Sequence, residues 1–438
     1  MTNPVKCPAS SLGGDLPIAA FVLVIMCAVA ITAMQSAQAQ TFTVLHTFTG
    51  AQDGGQPFAG LAMDEAGNLY GAASDGGKHG GSCPSYGCGT VFKLQKRGSG
   101  WVFSPLYAFQ GAPDGTGPQG VVIGPQGNLF GTTLEGGRGI CGLGPSGCGT
   151  VFQLRPPATV CRSVSCPWNE IPLYRFGGSE DGGSPANGNL VFDAAGNIYG
   201  TTYQGGAFND GTVYEMTHSQ GGGWTESVLY SFTNGWGNPY SGVIFDGSGN
   251  LYGTTTQGSQ FSSGAVYQLT PSGSGWTGSV LTGFQCGQDG CNPRGGLIID
   301  SADNLYGGTG GDGPNNGGTV YELVASQGWN FNLVFSFNGP SGGGPIDRLA
   351  MDAVGNLYGT TNADGIHQQG SVFKLTPSSG GWILTDLHDF TGGSDGGSPE
   401  GGVVLDTQGN IYGTTAVGGN LLDCVFGQGC GVVWEITP

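Results

Sequence analysis

Along most of this chain, short apolar runs alternate with glycine-rich polar stretches, and within the runs apolar and polar positions follow a period of two. The clearest example spans residues 188 to 232, GNLVFDAAGNIYGTTYQGGAFNDGTVYEMTHSQGGGWTESVLYSF. Alternating and continuous apolar runs bounded by Gly, Asn, Asp and Ser predict four strands here. We label them A (190 to 193), B (197 to 202), C (212 to 216) and D (224 to 232). No stretch beyond the first forty residues sustains a helical period.

The same pattern recurs. Versions of GNLYGTT stand at 67 to 73, 127 to 133, 196 to 202, 249 to 255, 303 to 309, 355 to 361 and 409 to 415. A period of this length is the mark of a repeat architecture rather than of several unrelated domains. Before each copy an acid recurs as Asp64, Asp193, Asp246, Asp300, Asp352 and Asp406, with Gly124 in the remaining place. A short side-chain acceptor followed by glycine is what a tight A to B turn requires, so this column reads as turn chemistry. Strand B carries Tyr70, Phe130, Tyr199, Tyr252, Tyr306, Tyr358 and Tyr412, each followed by a glycine that leaves room for a side chain from a neighbouring sheet. Strand C carries a valine column, and strand D ends in Phe in every copy, six of which begin with Trp. These columns read as core.

Four antiparallel strands per repeat fit an open solenoid or a closed propeller. A strand of D type at 41 to 48 precedes the first A strand, and the chain stops just after the seventh C strand. The expectation is therefore an all-β, seven-bladed β-propeller of four-stranded antiparallel blades, closed into a ring by the N-terminal strand.

Composition narrows the setting. Gly accounts for 90 of 438 residues, and charged residues for only 10%, with a net charge of −18. Such a surface repels phosphate backbones and anionic membranes, which argues against nucleic acid as a partner. Residues 1 to 39 read as a signal peptide: Lys6, an apolar run at 16 to 34, and the small-x-small site Ala37, Gln38, Ala39. The alternative is an uncleaved leader that tethers the protein to the membrane. Residues 40 to 438 then form one repeat domain, secreted or periplasmic, with no second apolar span and expected to be monomeric. The cysteines beyond the leader fall into near neighbours: Cys83 with Cys88, Cys141 with Cys148, Cys161 with Cys166, Cys286 with Cys291, and Cys424 with Cys430. On an exported chain these read as disulfides stapling single loops. None has the spacing of a zinc knuckle.

The combination of GNLYGTT, a Gly-rich loop, GTVFKL or GTVYEL, then LYSF and DGGSP resembles the GloVer tandem-repeat family of exported bacterial proteins, over the whole mature chain. Many members are choice-of-anchor proteins with a C-terminal sorting signal. Here the chain ends at Pro438 without one, so release is expected rather than anchoring. The resemblance implies no reaction, cofactor or catalytic residue.

In a four-stranded blade the B to C and D to A loops share one face, and the long insertions and most cysteine pairs fall there. Binding residues on rigid scaffolds are usually carried by such loops. Just past a proline in the D to A loops lie Phe58, Gln119, Asn187, Tyr240, Arg294, Asp347, Arg348 and Glu400, with Trp236 nearby. Ring closure would place them at the mouth of the central channel, as a rim able to stack on and hydrogen-bond a sugar or peptide. The Asp-Gly pattern of the same loops, at Asp53, Asp114, Asp181, Asp289 and Asp395, makes Ca²⁺ a candidate cation, with turn capping as the alternative. Matches to GxSxG and GxGxxG lack the following helix that their chemistry needs. The expectation is a binding or interaction module for a protein or glycan. The alternatives are a glycan-active or calcium-dependent hydrolase or lyase using Asp347, Glu400 and Arg294, and a structural envelope or matrix scaffold.

Overall fold

The computed structural model describes residues 40–438, except 99, 142–146, 158–166, 186–188, 220–221, 234, 260, 274, 340–342, 423 and 425–426. The leader, Asn187 and the pair Cys161 with Cys166 lie outside the described residues. Residues 41–437 make one compact unit, built from seven four-stranded antiparallel sheets. The first blade runs Ala62–Met63, Leu69–Ala73, Thr90–Arg97 and Gly100–Ala108. In the seventh, Val404–Leu405, Ile411–Thr415 and Val432–Thr437 are completed by Thr41–Thr47. That closing strand pairs antiparallel with the end of the chain, Thr41 opposite Thr437. The fold is a seven-bladed β-propeller whose ring is closed by its N-terminal strand.

Each part of GNLYGTT has a mechanical task. In blade 4, one oxygen of Asp246 accepts the backbone N–H of Ser248 (2.8 Å) and Asn250 (2.9 Å). Its other oxygen accepts the Asn250 amide (2.7 Å) and the Tyr252 hydroxyl (3.0 Å). Gly249, at φ +86, takes the left-handed position that the turn needs. Leu251 is fully buried. The first threonine donates to the next blade, Thr254 Oγ1 to Gly295 O at 3.2 Å. Elsewhere the second threonine bonds strand C across the sheet, as between Thr202 and Thr212 at 2.8 Å. At the ring closure, Thr414 of blade 7 donates to Ala59 O of blade 1 at 3.1 Å.

The glycine after the strand B aromatic has a different neighbour from the one its sequence position suggests. The ring that lies over it comes from strand C of its own blade: an added Cβ at Gly71 would sit 2.5 Å from Phe92 Cζ, and Gly71 faces Phe92 in the register. Outside blade 2, where strand A runs Thr116–Ile123, strand A pairs over only two residues, as at Val191–Phe192. The segments that open neighbouring blades run close together, and a Cβ on Gly60 would meet Gly402 O at 2.9 Å. The inner segments are therefore held by close backbone approach rather than by longer ladders.

Blades meet through aromatic edges. Phe109 packs on Phe152 of the next blade with centroids 5.1 Å apart, and Phe284 on Tyr321 at 4.9 Å. The strand D tryptophans reach back to the preceding blade, Trp168 to Tyr70 and Trp329 to Tyr252. Strand D reaches this packing through a bulge that the period-two reading does not anticipate. Tyr107 pairs with Val91 and Pro105 with Phe92, leaving Leu106 as the extra residue. The bulge re-aims the strand so that Leu106 and Phe109 are both buried. A further two-stranded ribbon, Trp236–Gly237 with Gln257–Gly258, was not foreshadowed by the repeat.

Candidate functional site

The D to A and B to C loops share a face and are tied together by isolated bridges, Gly55 with Asp75, Gly183 with Gln204, and Gly397 with Val417. Among the described residues, four disulfides brace these loops: Cys83–Cys88, Cys141–Cys148, Cys286–Cys291 and Cys424–Cys430. Asp312 stands close to the sulfurs of Cys286 and Cys291. Those sulfurs are joined to each other, so they offer no thiolate to a metal.

The aspartates of the D to A loops are built into turns. Asp114 accepts the backbone N–H of Gln110 at 2.7 Å and the Tyr107 hydroxyl at 3.1 Å. Asp181 accepts Gly177 N–H at 2.7 Å and Tyr174 at 3.1 Å. In the copies with histidine on strand D, His46 and His388 contact Asp53 and Asp395, each at 3.2 Å.

On the same face, the rim residues of the sequence reading are distributed over distinct places. Phe58, Gln119, Tyr240, Arg294 and Glu400 line one cavity of about 270 Å³, together with Ile346 and Leu134. Apart from Leu134 on strand B of blade 2, its members come from the segments that open blades 1, 2, 4, 5, 6 and 7, brought together only by ring closure. The Arg294 guanidinium lies over the Tyr240 ring, 5.3 Å from its centroid, and Tyr203 meets that ring edge-on. Burial raises the Glu400 carboxyl above its ordinary range, with the Arg294 charge opposing. Burial also raises the Tyr240 phenol.

Asp347 and Arg348 line a separate cavity of about 320 Å³ deeper along the inner strands, with Leu61, Val121, Asn189 and Val403. Asp347 is buried, and it accepts the backbone N–H of Arg348 and of Gly402, both at 2.7 Å. Burial raises its carboxyl above the usual value despite these bonds. It thus clasps the segments opening blades 6 and 7, and it lines a different cavity from the one that Glu400 lines. Trp236 belongs to neither place. It packs among Tyr230, Phe232 and Tyr267 and borders a third cavity with Asp210 and Asn238.

A second cavity on the loop face, about 330 Å³, adjoins the mouth through the shared walls Phe58, Gln119 and Leu134. It adds Asp75, Tyr86 and Glu135, none of which the rim reading included. One signal was present in the repeat register. The residue two places after the second threonine position is acidic only in the first two copies, Asp75 and Glu135, where other copies carry Gln204, Gln257, Gly311, Ala363 and Val417.

Among the described residues no helix is long and apolar enough to cross a membrane. Among solved structures, an ancestral GH74 enzyme is similar with a TM-score of 0.50 at 12% identity, over 87% of this chain and 47% of that one. A Dyadobacter fermentans protein of unknown function is similar at 0.45 and 13% identity, over 79% and 98%. A Mycobacterium tuberculosis puromycin-hydrolyzing peptidase is similar at 0.44 and 9%, over 85% and 61%. At these identities the likeness concerns the fold alone. No curated protein matches the chain in sequence. The model of the Gloeobacter/Verrucomicrobia repeat matches residues 30–242, 144–298 and 239–438. Seven blades built on that repeat, together with these matches along the length of the chain, make this protein a member of the Gloeobacter/Verrucomicrobia repeat family.

Proposed function

We propose that this protein is an exported binding module whose ligand is a neutral, hydroxyl-rich glycan held at the channel mouth on the B to C and D to A loop face. The observation that supports this reading is the mouth cavity itself. Side chains from residue 58 to residue 400 converge on one space of about 270 Å³. Arg294 and Glu400 carry opposite charges, so the mouth offers both donors and acceptors with little net charge. Phe58 and Tyr240 add aromatic surface, and Gln119 a neutral amide. Aromatic faces beside forked donors and acceptors suit a sugar, whose CH faces stack while its hydroxyls exchange hydrogen bonds. Export is supported by the disulfide-braced loops, which persist in oxidising compartments.

The test is a titration of the full chain against a panel of neutral oligosaccharides, followed by variants. Saturable binding is expected for at least one member. Tyr240→Ala and Arg294→Ala should each weaken it about tenfold or more, the loss of one buried stacking or charge-assisted contact. A panel with no binder, or variants that bind as the parent does, would overturn the reading.

A further inference from the structure

We propose that the cavity between blades 1 and 2 binds an organic cation, an alkylammonium or guanidinium group of the kind that ends a lysine or arginine side chain. This site stands beside the glycan reading and does not depend on it.

Two carboxylates, Asp75 and Glu135, have no task in the fold. They occupy the same place in their repeats, Asp75 two residues beyond Leu69–Ala73 and Glu135 at the last position of Leu129–Glu135. Copies with glutamine, glycine or valine there make the same bridge, Gly183 with Gln204, Cys291 with Gly311 and Gly397 with Val417. In blade 1 the bridge to the D to A loop is made by backbone: Asp75 N–H donates to Gly55 O, and Gly55 N–H donates to Asp75 O, each at 3.0 Å. Nothing in that bridge requires an acid. Both residues line the same cavity of about 330 Å³. Their charges are felt inside it: the Tyr86 phenol is raised first by burial, then by Glu135 and by Asp75.

The rest of the lining is apolar or neutral. Phe58, Tyr86 and Leu134 supply the walls, and no lysine, arginine or histidine lines the space. His79, the nearby charge that acts on Asp75, holds its imidazole on Ser85 O at 3.1 Å. Burial without an adequate counter-charge pushes the Asp75 carboxyl up to about 6. Carboxylates set in an apolar wall with two aromatic rings favour a cation carrying hydrocarbon: the ammonium meets the carboxylates, and its stem and ring contacts follow from cation–π and apolar burial. A hydrated metal ion would gain nothing from Phe58 and Leu134, and an anion would be repelled. The net charge of −18 draws cations to the surface.

The probes are butylammonium, its neutral counterpart butan-1-ol, and a capped Gly-Lys-Gly peptide, each titrated into the full chain at neutral pH and followed by NMR shifts and calorimetry. Butylammonium should bind saturably and butan-1-ol should not. Tighter binding of the peptide than of the amine assigns the source as a basic side chain in a protein partner, and the reverse assigns a free amine. Asp75→Asn should weaken the cation about tenfold or more, the loss of a charge-assisted contact, with melting unchanged because its side chain supports no turn. Glu135→Gln serves as the second variant, with a smaller loss. Arg294→Ala should leave cation binding untouched, so failure at the channel mouth and failure here are read separately. No binding of either cation, equal binding of butan-1-ol, or an Asp75→Asn protein that binds as the parent does would overturn the proposal.

Discussion

At the scale of residues, the most repeated side chain is a turn device with several tasks. Asp246 accepts four hydrogen bonds, two from backbone and two from the Asn and Tyr of its own motif. The second blade shows the coupling from the other side. There Gly124 replaces the acid, the aromatic is Phe130 without a hydroxyl, and Asn128 turns its amide to Pro125 O at 3.1 Å. Asp246→Ala should therefore cost about 1–3 kcal/mol, since it strands donors that the turn half buries; a urea midpoint unchanged from the parent would contradict this. The pH dependence follows in sign. Burial raises the carboxyls of Asp64, Asp246 and Asp352, but hydrogen bonds from Asn68, Asn250 and Asn356 and their neighbours outweigh it and leave each below its ordinary value. Their contribution is thus complete above the unfolded value of about 3.8 and is lost as pH falls through the folded values. Melting temperature should drop steeply in that acid range, and less steeply for Asp246→Ala. The aspartate's capping role was legible in the sequence, because a short acceptor before glycine has few other uses. Its bonds to Asn and Tyr were not, because they depend on the turn folding residues four and six places on back to the same carboxylate.

At the scale of strands, the informative element is strand D, whose LYSF ending defeats a simple alternation. The bulge at Leu106 puts Leu106 and Phe109 in the same interior, and the N–H of Phe109 then bonds Gly89 O at 3.0 Å. Period two locates the strand but not the extra residue, since a bulge is a relation between two strands and only one is visible in a run of letters. The glycine column was misassigned for the same reason: which ring covers Gly71 is set by register, and the register places Phe92 of the same blade there. Two substitutions separate the packing roles. Phe284→Ala empties a fully buried site against Tyr321 and should cost about 3–5 kcal/mol. Gly253→Ala would drive a methyl to 2.6 Å from Tyr267 Cζ and should cost about 1–3 kcal/mol by overpacking. Denaturation midpoints measure both, and a neutral Gly253→Ala would show that the ring can move aside.

At the scale of the ring, one strand carries the closure, and its two flanks are held by histidine stacks of opposite sense. Phe42 on the closing strand lies 3.8 Å from the His388 ring of blade 6, and His46 on the same strand lies 3.8 Å from Phe103 of blade 1. The D-type run at 41 to 48 made closure legible, whereas the site was only partly so: the channel mouth followed from ring geometry, but the division of Glu400 from Asp347 required the depth of each side chain. Deleting residues 41 to 48 should expose the edge of Val432–Thr437 and remove Phe48 from beside Phe92, lowering the melting temperature far more than any single substitution here. A finer test isolates His388. Burial lowers its pKa from the usual 6.5, prevailing over the opposing influence of Asp395 and Asp389. The unfolded chain therefore takes up a proton that the closed ring refuses, so closure is fully supported above about 6.5 and weakens as pH falls toward the folded value. Other groups run the opposite way: burial raises Glu226 to about 7 and Glu170 to about 8, with Asp181 and Asp114 adding to it, so their contribution is present at lower pH and declines toward alkaline pH. Whole-protein melting mixes these trends, and the difference between the parent and His388→Phe, which keeps a ring on Phe42 but cannot titrate, separates them. The stability of the parent relative to that variant should fall as pH drops from about 7 to about 5, with the loss of protection seen first in the amides of the closing strand by hydrogen exchange. Parallel pH curves for the two proteins would show that the imidazole on the closing strand is only a packing surface.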